Sequence, residues 1–308
     1  MYSYADLEGL LKPGKVRLNE SMARHTTFRV GGRADALCLP ETRYDLLEVI
    51  GWASLRGIPW LLIGNGSNVI FDDEGFRGIV IKIRGSNPAN DTLWHLNKDH
   101  DLIHAGAGVS LARLAWFSAA YGMSGLEFGS GIPGVVGGSI RGNAGAHNCE
   151  LSQSIESIEL LIPPNTITTI SAADVHFSYR HTDIDPNAII TGAVFRLIPE
   201  EPELIRDRIT SFTEYRKQTQ PSADQSAGCM FKNPSGDSAG RLIDLAGCKG
   251  WHVGGVKVSE QHANFLVNSG EANTADTHRL IDKVRDRVLI EMGIELELEV
   301  RILSPEVA

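Results

Sequence analysis

GLEFGSGIPGVVGGSIRGNAGA, residues Gly125 to Ala146, decides how the rest of the chain is read. Gly129, Gly131 and Gly134 satisfy GxGxxG, the spacing of a dinucleotide-binding turn. That turn must open into a helix whose N-terminus faces a pyrophosphate. Here Pro133 interrupts it, and Gly137, Gly138, Gly142 and Gly145 follow, each disfavouring a helix by about 1 kcal/mol relative to alanine. A Rossmann site is therefore not expected. Two readings stay open. Backbone N–H groups here and in GNGSN (Gly64 to Asn68) could cradle an anion, or both stretches could be tight turns.

Outward from that stretch, helical spacing appears in RYDLLEVIGWASLRG (Arg43 to Gly57) and VSLARLAWFSAAYG (Val109 to Gly122), each closed by glycine. WLLIG, GIVIKI, SIELLI and AIITGAVFRLI read as strands. Pro199–Pro202 (PEEP) follows a completed strand and is the expected domain boundary. Beyond it the sequence predicts a polar helix from about Glu203 to Lys217, a cysteine loop, a short helix in AGRLIDLAG and a long helix with Thr274 as N-cap and Gly293 as stop. ELELEVRIL is expected to end the chain as an alternating strand.

The 308 residues carry 42% hydrophobic and 22% charged side chains and a formal net charge of −9, the composition of a globular protein without the basic surface that coats nucleic acid. No signal peptide or membrane-length apolar run is read, and no membrane partner is expected. Cys38, Cys149, Cys229 and Cys248 form no CxxC pair, and the histidines show no ligand spacing, so no metal is expected and the thiols are read as reduced and cytoplasmic.

HTTFRVGG (His25 to Gly32), GNGSNVIFDDEGFRGIVI (Gly64 to Ile81), the Gly125–Ala146 stretch, FSYR (Phe177 to Arg180), SAGCMFKNP (Ser226 to Pro234) and LELEVRIL follow one another in that order. Together they closely resemble the UDP-N-acetylenolpyruvoylglucosamine reductases (UDP-N-acetylmuramate dehydrogenases) of bacterial peptidoglycan synthesis, in their shorter form. The resemblance runs from Arg24 to Leu303. It implies an α+β chain: a two-lobed FAD-binding fold of the vanillyl-alcohol oxidase type over 1–200 (lobes of about 1–66 and 67–200), and a C-terminal α/β substrate-binding domain over 201–308. It further implies non-covalent FAD, NADPH as co-substrate, a UDP-N-acetylglucosamine enolpyruvate substrate, and a cytoplasmic monomer.

Carried over by that resemblance, Gly64, Asn65, Gly66, Ser67 and Asn68, with Ile132, Pro133, Gly134, Gly137, Gly138 and Asn143, hold FAD. Tyr179, Lys232 and Asn233 contact the nucleotide-sugar, and Tyr215 to Pro221 line the same pocket. Thr219 stands where some relatives have lysine, with Arg216 or Lys217 as alternatives.

The reaction that the resemblance implies adds a hydride from N5 of the reduced flavin to the methylene carbon of an enol ether, then a proton to the adjacent carbon. Arg180 matches the arginine that holds a carboxylate as its charge grows; alone it would read as a strand-end arginine. Glu299 matches a glutamate that bonds the developing enol, although alternation alone puts it on a solvated face, and Leu298 replaces the usual proline. Cys229 stands where most relatives carry a proton-donating serine. An unperturbed thiol, with a pKa near 8.5, gives up a proton far more readily than a hydroxyl; without the motif it would read as a small buried residue. The rivals are another FAD oxidoreductase of the same fold and a non-catalytic UDP-sugar sensor.

Overall fold

A computed structural model describes residues 4, 6–83, 93–221 and 225–305. The chain forms two compact units. One takes the chain up to Leu18, Ala36–Asn65 and Gly78–Arg216; the other takes Asn19–Asp35, Gly66–Arg77 and the chain from Lys217 onward.

The first unit has two apolar cores. In one, helix α1 (Arg43–Leu55) lays Leu46, Val49, Ile50 and Ala53 against Ala36, Cys38, Ile79 and Ile81 of a four-stranded sheet ordered Val16–Ser21, Arg33–Cys38, Phe76–Lys82, Trp60–Ile63. Thr42 starts α1 with a capping box: its hydroxyl accepts from the Asp45 amide at 2.9 Å, and the Asp45 carboxylate accepts from the Thr42 amide at 3.1 Å. The last two strands run parallel, Trp60 opposite Ile79. This core reaches Trp94, well past the residue-66 lobe division read from the sequence, because Phe76–Lys82 must return to pair with Trp60–Ile63.

The other core lies on an antiparallel five-stranded sheet ordered Thr166–Ser171, Ile155–Ile162, Ile189–Arg196, Leu102–Gly106, Leu96–Asp99. Helix α2 (Leu111–Ala120) buries Leu111 and Leu114 in this core, and helix α3 (Val136–Arg141) adds Val136 and Ile140. Helix α4 (Pro202–Thr219) starts on the last residue of PEEP and packs Ile205 and Ile209 on Ala115 and Ala119 of α2. The chain thus passes between units inside α4, after Arg216.

In the second unit an antiparallel sheet ordered Ser226–Cys229, Phe265–Asn268, Val256–Val258, His252–Val253 packs against helices α5 (Ala239–Leu245) and α6 (Thr274–Met292). Arg301–Leu303 pairs in parallel with Val69–Phe71. Two sequence expectations change here. Asn273, not Thr274, caps α6: its side-chain oxygen accepts from the Asp276 amide at 2.7 Å, while the Thr274 hydroxyl donates to the Phe71 carbonyl. Only Arg301–Leu303 of ELELEVRIL is strand. The segment before it bonds to the Cys229 loop instead, Lys232 N–H donating to Glu297 O at 2.8 Å.

Among the described residues no helix is long and apolar enough to cross a membrane.

Candidate active site

In the first unit the two glycine stretches meet. The Asn65 side-chain amide donates to the Pro133 carbonyl at 3.0 Å, and a Cβ on Gly64 would stand 2.5 Å from Val135 Cγ2. Gly137 lies so close to Ala107 that an added Cβ would come within 2.9 Å of Ala107 Cβ, while its N–H donates to Ala107 O at 3.0 Å. The glycines disfavour a helix here, yet Val136–Arg141 forms one. Val136 and Gly137 amides are satisfied by Val109 O and Ala107 O, so outside carbonyls stabilise what glycine disfavours. The exposed Gly138 amide has no acceptor among the described residues.

Asn143 lies next to these glycines in the chain. It is fully buried, its amide donates to Glu150 Oε2 at 2.9 Å and to Ser178 O at 3.1 Å, and its oxygen accepts from the Ser152 amide. Its side chain therefore braces the loop behind the glycines. Beside it, Gly145–Ala146 pairs with Cys149–Glu150 across His147 and Asn148, both at positive φ. Gly145 O accepts from Arg180 Nη2 at 3.2 Å. Arg180 sits in the two-residue turn between Phe177–Ser178 and His181–Thr182, with φ of 58° and its guanidinium carbon 5.0 Å from the Tyr179 ring centroid. An arginine held in the left-handed region marks a constrained backbone at this turn. On the same unit Arg216 covers Gly131, its Cδ 2.9 Å from where a Cβ would lie.

In the second unit the Gly66–Asn68 turn, the Cys229 loop and Glu299 come together. The amides of Gly66, Ser67 and Asn68 make no hydrogen bond among the described residues, and Gly66 has φ of 72°. Asn68 Nδ2 donates to Glu299 O at 3.2 Å, and Arg301 N–H donates to Asn68 O at 3.1 Å. Glu299 N–H donates to Met230 O at 2.9 Å, next to half-buried Cys229. Glu299 is half-buried too, against the solvated place that alternation assigned to it. Lys232 Nζ pairs with exposed Glu297 at 2.6 Å, a bond worth little in solvent. Asn233 Oδ1 accepts from the Ala239 amide at the start of α5, so part of its capacity is structural.

Two supporting residues carry no sequence signal that singled them out. Buried Asn264 clamps Phe231, accepting from its N–H at 2.9 Å and donating to its carbonyl at 2.7 Å. Glu127, in the LEFGSG turn, receives Arg208 of α4 at 2.8 Å. Burial pushes the Glu127 carboxyl up, but Arg208, the Glu127 and Gly125 amides and the Ser124 hydroxyl outweigh it and hold it below the ordinary value.

In the first unit, Gly64 and Gly137, whose Cβ would collide with a neighbouring loop, and the unspent Gly138 amide make a main-chain surface that suits a diphosphate. The donor set therefore fits a dinucleotide such as FAD. Residues 34–171 match the family model of an FAD binding domain, and residues 220–303 match that of the UDP-N-acetylenolpyruvoylglucosamine reductase C-terminal domain. The chain is 40% identical to the UDP-N-acetylenolpyruvoylglucosamine reductase of Geotalea uraniireducens (94% of this chain, 95% of that protein). It is 37% identical to that of Bacillus subtilis over the same shares. The crystal structure of the Thermus caldophilus enzyme superimposes with a TM-score of 0.76 at 34% identity, covering 94% of this chain and 98% of that one.

Proposed function

The chain belongs to the UDP-N-acetylenolpyruvoylglucosamine reductase family, and from that premise we propose how its residues carry out the reduction. The protein is an FAD-dependent oxidoreductase that converts UDP-N-acetylglucosamine enolpyruvate to UDP-N-acetylmuramate, a step of peptidoglycan precursor synthesis, with NADPH as reductant. Both nucleotides are cytosolic pools, which favours a cytoplasmic place for it. FAD binding is assigned to the first unit, together with the Gly66–Asn68 turn, and nucleotide-sugar binding chiefly to the second, in line with the two family models.

Gly64 to Asn68 and Ile132 to Gly138 hold FAD through backbone groups, and Asn143 braces them. When bound and reduced, FAD supplies the hydride that adds to the enolpyruvyl methylene carbon. Arg180 binds the substrate carboxylate, into which the resulting negative charge spreads; its planar fork suits two oxygens. Glu299 hydrogen-bonds the developing enol. Cys229 gives its S–H proton to the carbon next to the carboxylate, leaving a thiolate that regains a proton from solvent. Tyr179, Lys232 and Asn233 orient the nucleotide-sugar.

The observation that carries this reading is the main-chain hydrogen bond from Glu299 N–H to Met230 O, which sets the backbone of the acid beside the Cys229 loop in a chain similar to its relative over nearly its whole length. The deciding experiment follows NADPH oxidation by the purified yellow protein with and without the enolpyruvyl nucleotide-sugar. Substrate-dependent oxidation with the muramate product supports it. A protein that stays colourless after incubation with FAD, or that passes electrons only to oxygen, would remove it.

A further inference from the structure

We propose that Thr27 is a positioning residue for Cys229, an inference that rests on the reading of Cys229 as the proton donor. Strand Ser226–Cys229 pairs with Phe265–Asn268 at Ser226↔Val267 and at Cys229↔Phe265, with a bulge between the two pairs. A bulge adds a residue to one strand, breaks the ladder and re-aims the side chain that follows. Gly228 takes φ of 80° within it. Sheet pairing alone therefore leaves the approach to Cys229 under-determined.

Thr27 supplies what the ladder lacks. Its hydroxyl donates to the Ser226 carbonyl at 2.5 Å, and its own carbonyl accepts from the Gln225 N–H at 2.8 Å. Its N–H donates to the Gly66 carbonyl at 3.0 Å. One residue thus grips both the bulged strand and the Gly66 turn. Two residues after Gly66, Asn68 donates to Glu299 O, and Glu299 N–H donates to Met230 O. The hydrogen bonds and short chain stretches close a ring: Thr27, Gly66, Asn68, Glu299, Met230, Cys229, Ser226 and back to Thr27. Threonine suits this post because branching at Cβ restricts χ1 and so directs the hydroxyl. Valine has the same shape without the donor and would leave the carbonyl of buried Ser226 short of a partner.

The test uses FAD-loaded Thr27→Val and Thr27→Ser, with the two half-reactions measured separately. Thr27→Val should slow flavin reoxidation by the enolpyruvyl nucleotide-sugar by about ten- to a hundredfold, as small misplacements of a catalytic group do. Flavin reduction by NADPH should stay at the parent rate, and Thr27→Ser should restore reoxidation. Iodoacetamide labelling of Cys229 in the FAD-loaded protein, read by peptide mass, should speed up several-fold in Thr27→Val. Parent-like reoxidation and labelling in Thr27→Val overturn the proposal, as does equal impairment of Thr27→Ser. If Thr27→Val does not accumulate, Thr27→Ala replaces it; if neither holds flavin while Thr27→Ser does, the hydroxyl serves the fold and the proposal falls. Failure of the Cys229 reading is distinguished by Cys229→Ala, which would then turn over normally whatever Thr27 does.

Discussion

Glu299 and Met230 are joined main chain to main chain at 2.9 Å, which sets the backbone of the acid next to that of Cys229 without using either side chain. Substitution of the thiol therefore leaves the scaffold in place. Cys229→Ser should retain measurable product formation, whereas Cys229→Ala should lose roughly 10²–10⁴-fold, the usual contribution of a general acid. Flavin bleaching by NADPH should proceed in both. Stopped-flow absorbance separates the steps, and a normally active alanine variant would sink the assignment.

Gly66 and Gly138 should respond differently to alanine. At Gly66, φ of 72° and a Cβ 2.2 Å from the His25 carbonyl oxygen leave no room. Gly66→Ala should lose at least about 1–3 kcal/mol in urea unfolding. At Gly138 the nearest atom is Val135 Cγ2 at 4.0 Å, so alanine fits the helix. Gly138→Ala should keep or raise stability yet weaken FAD retention, because a methyl then crowds the exposed amide. Equal flavin affinity in parent and Gly138→Ala would exclude that amide from the cradle.

The Glu127–Arg208 pair predicts an acid limb of stability. A carboxyl held lower in the folded chain than in the unfolded one adds stability above its unfolded value and loses it as pH falls through the folded value. Stability should therefore decline on acidification below the ordinary glutamate value, near 4.5. Glu127→Gln should be less stable at neutral pH and show a shallower decline in that window. Urea midpoints at stepped pH measure both, and parallel curves would count against the pair.

The four thiols should label in two classes. Burial pushes Cys38 up to about 12 and raises Cys248 as well, with Arg287 and Lys283 opposing the latter. Both are inaccessible. Half-buried Cys229 and Cys149 should react with iodoacetamide at pH 8 first, seen by peptide mass. Early modification of Cys38 would contradict the packing.

Helices α1 and α2 were legible because apolar spacing and a closing glycine agree locally. Helix α3 was not, since the carbonyls of Val109 and Ala107 that satisfy its first amides come from another element. Alternation misread ELELEVRIL because Leu298 pairs with Phe231 as an isolated bridge, and only Arg301–Leu303 finds a strand partner. Motif order singled out Gly64, Cys229 and Glu299 as candidates; it was silent on Asn264 and Glu127, whose value lies in bonds to residues far along the chain.

The second unit gathers Asn19–Asp35, Gly66–Arg77 and everything from Lys217 onward, and Asn68 meets Glu299 across a separation of 231 residues. During synthesis its early pieces emerge long before the partners they need. Strand Val69–Phe71 waits for Arg301–Leu303, almost the last described residues to leave the ribosome. The backbones of Cys229 and Glu299 are thus tied to the Gly66 turn only once Arg301–Leu303 has emerged. No cut at a single point in the gene can yield this unit of the protein intact.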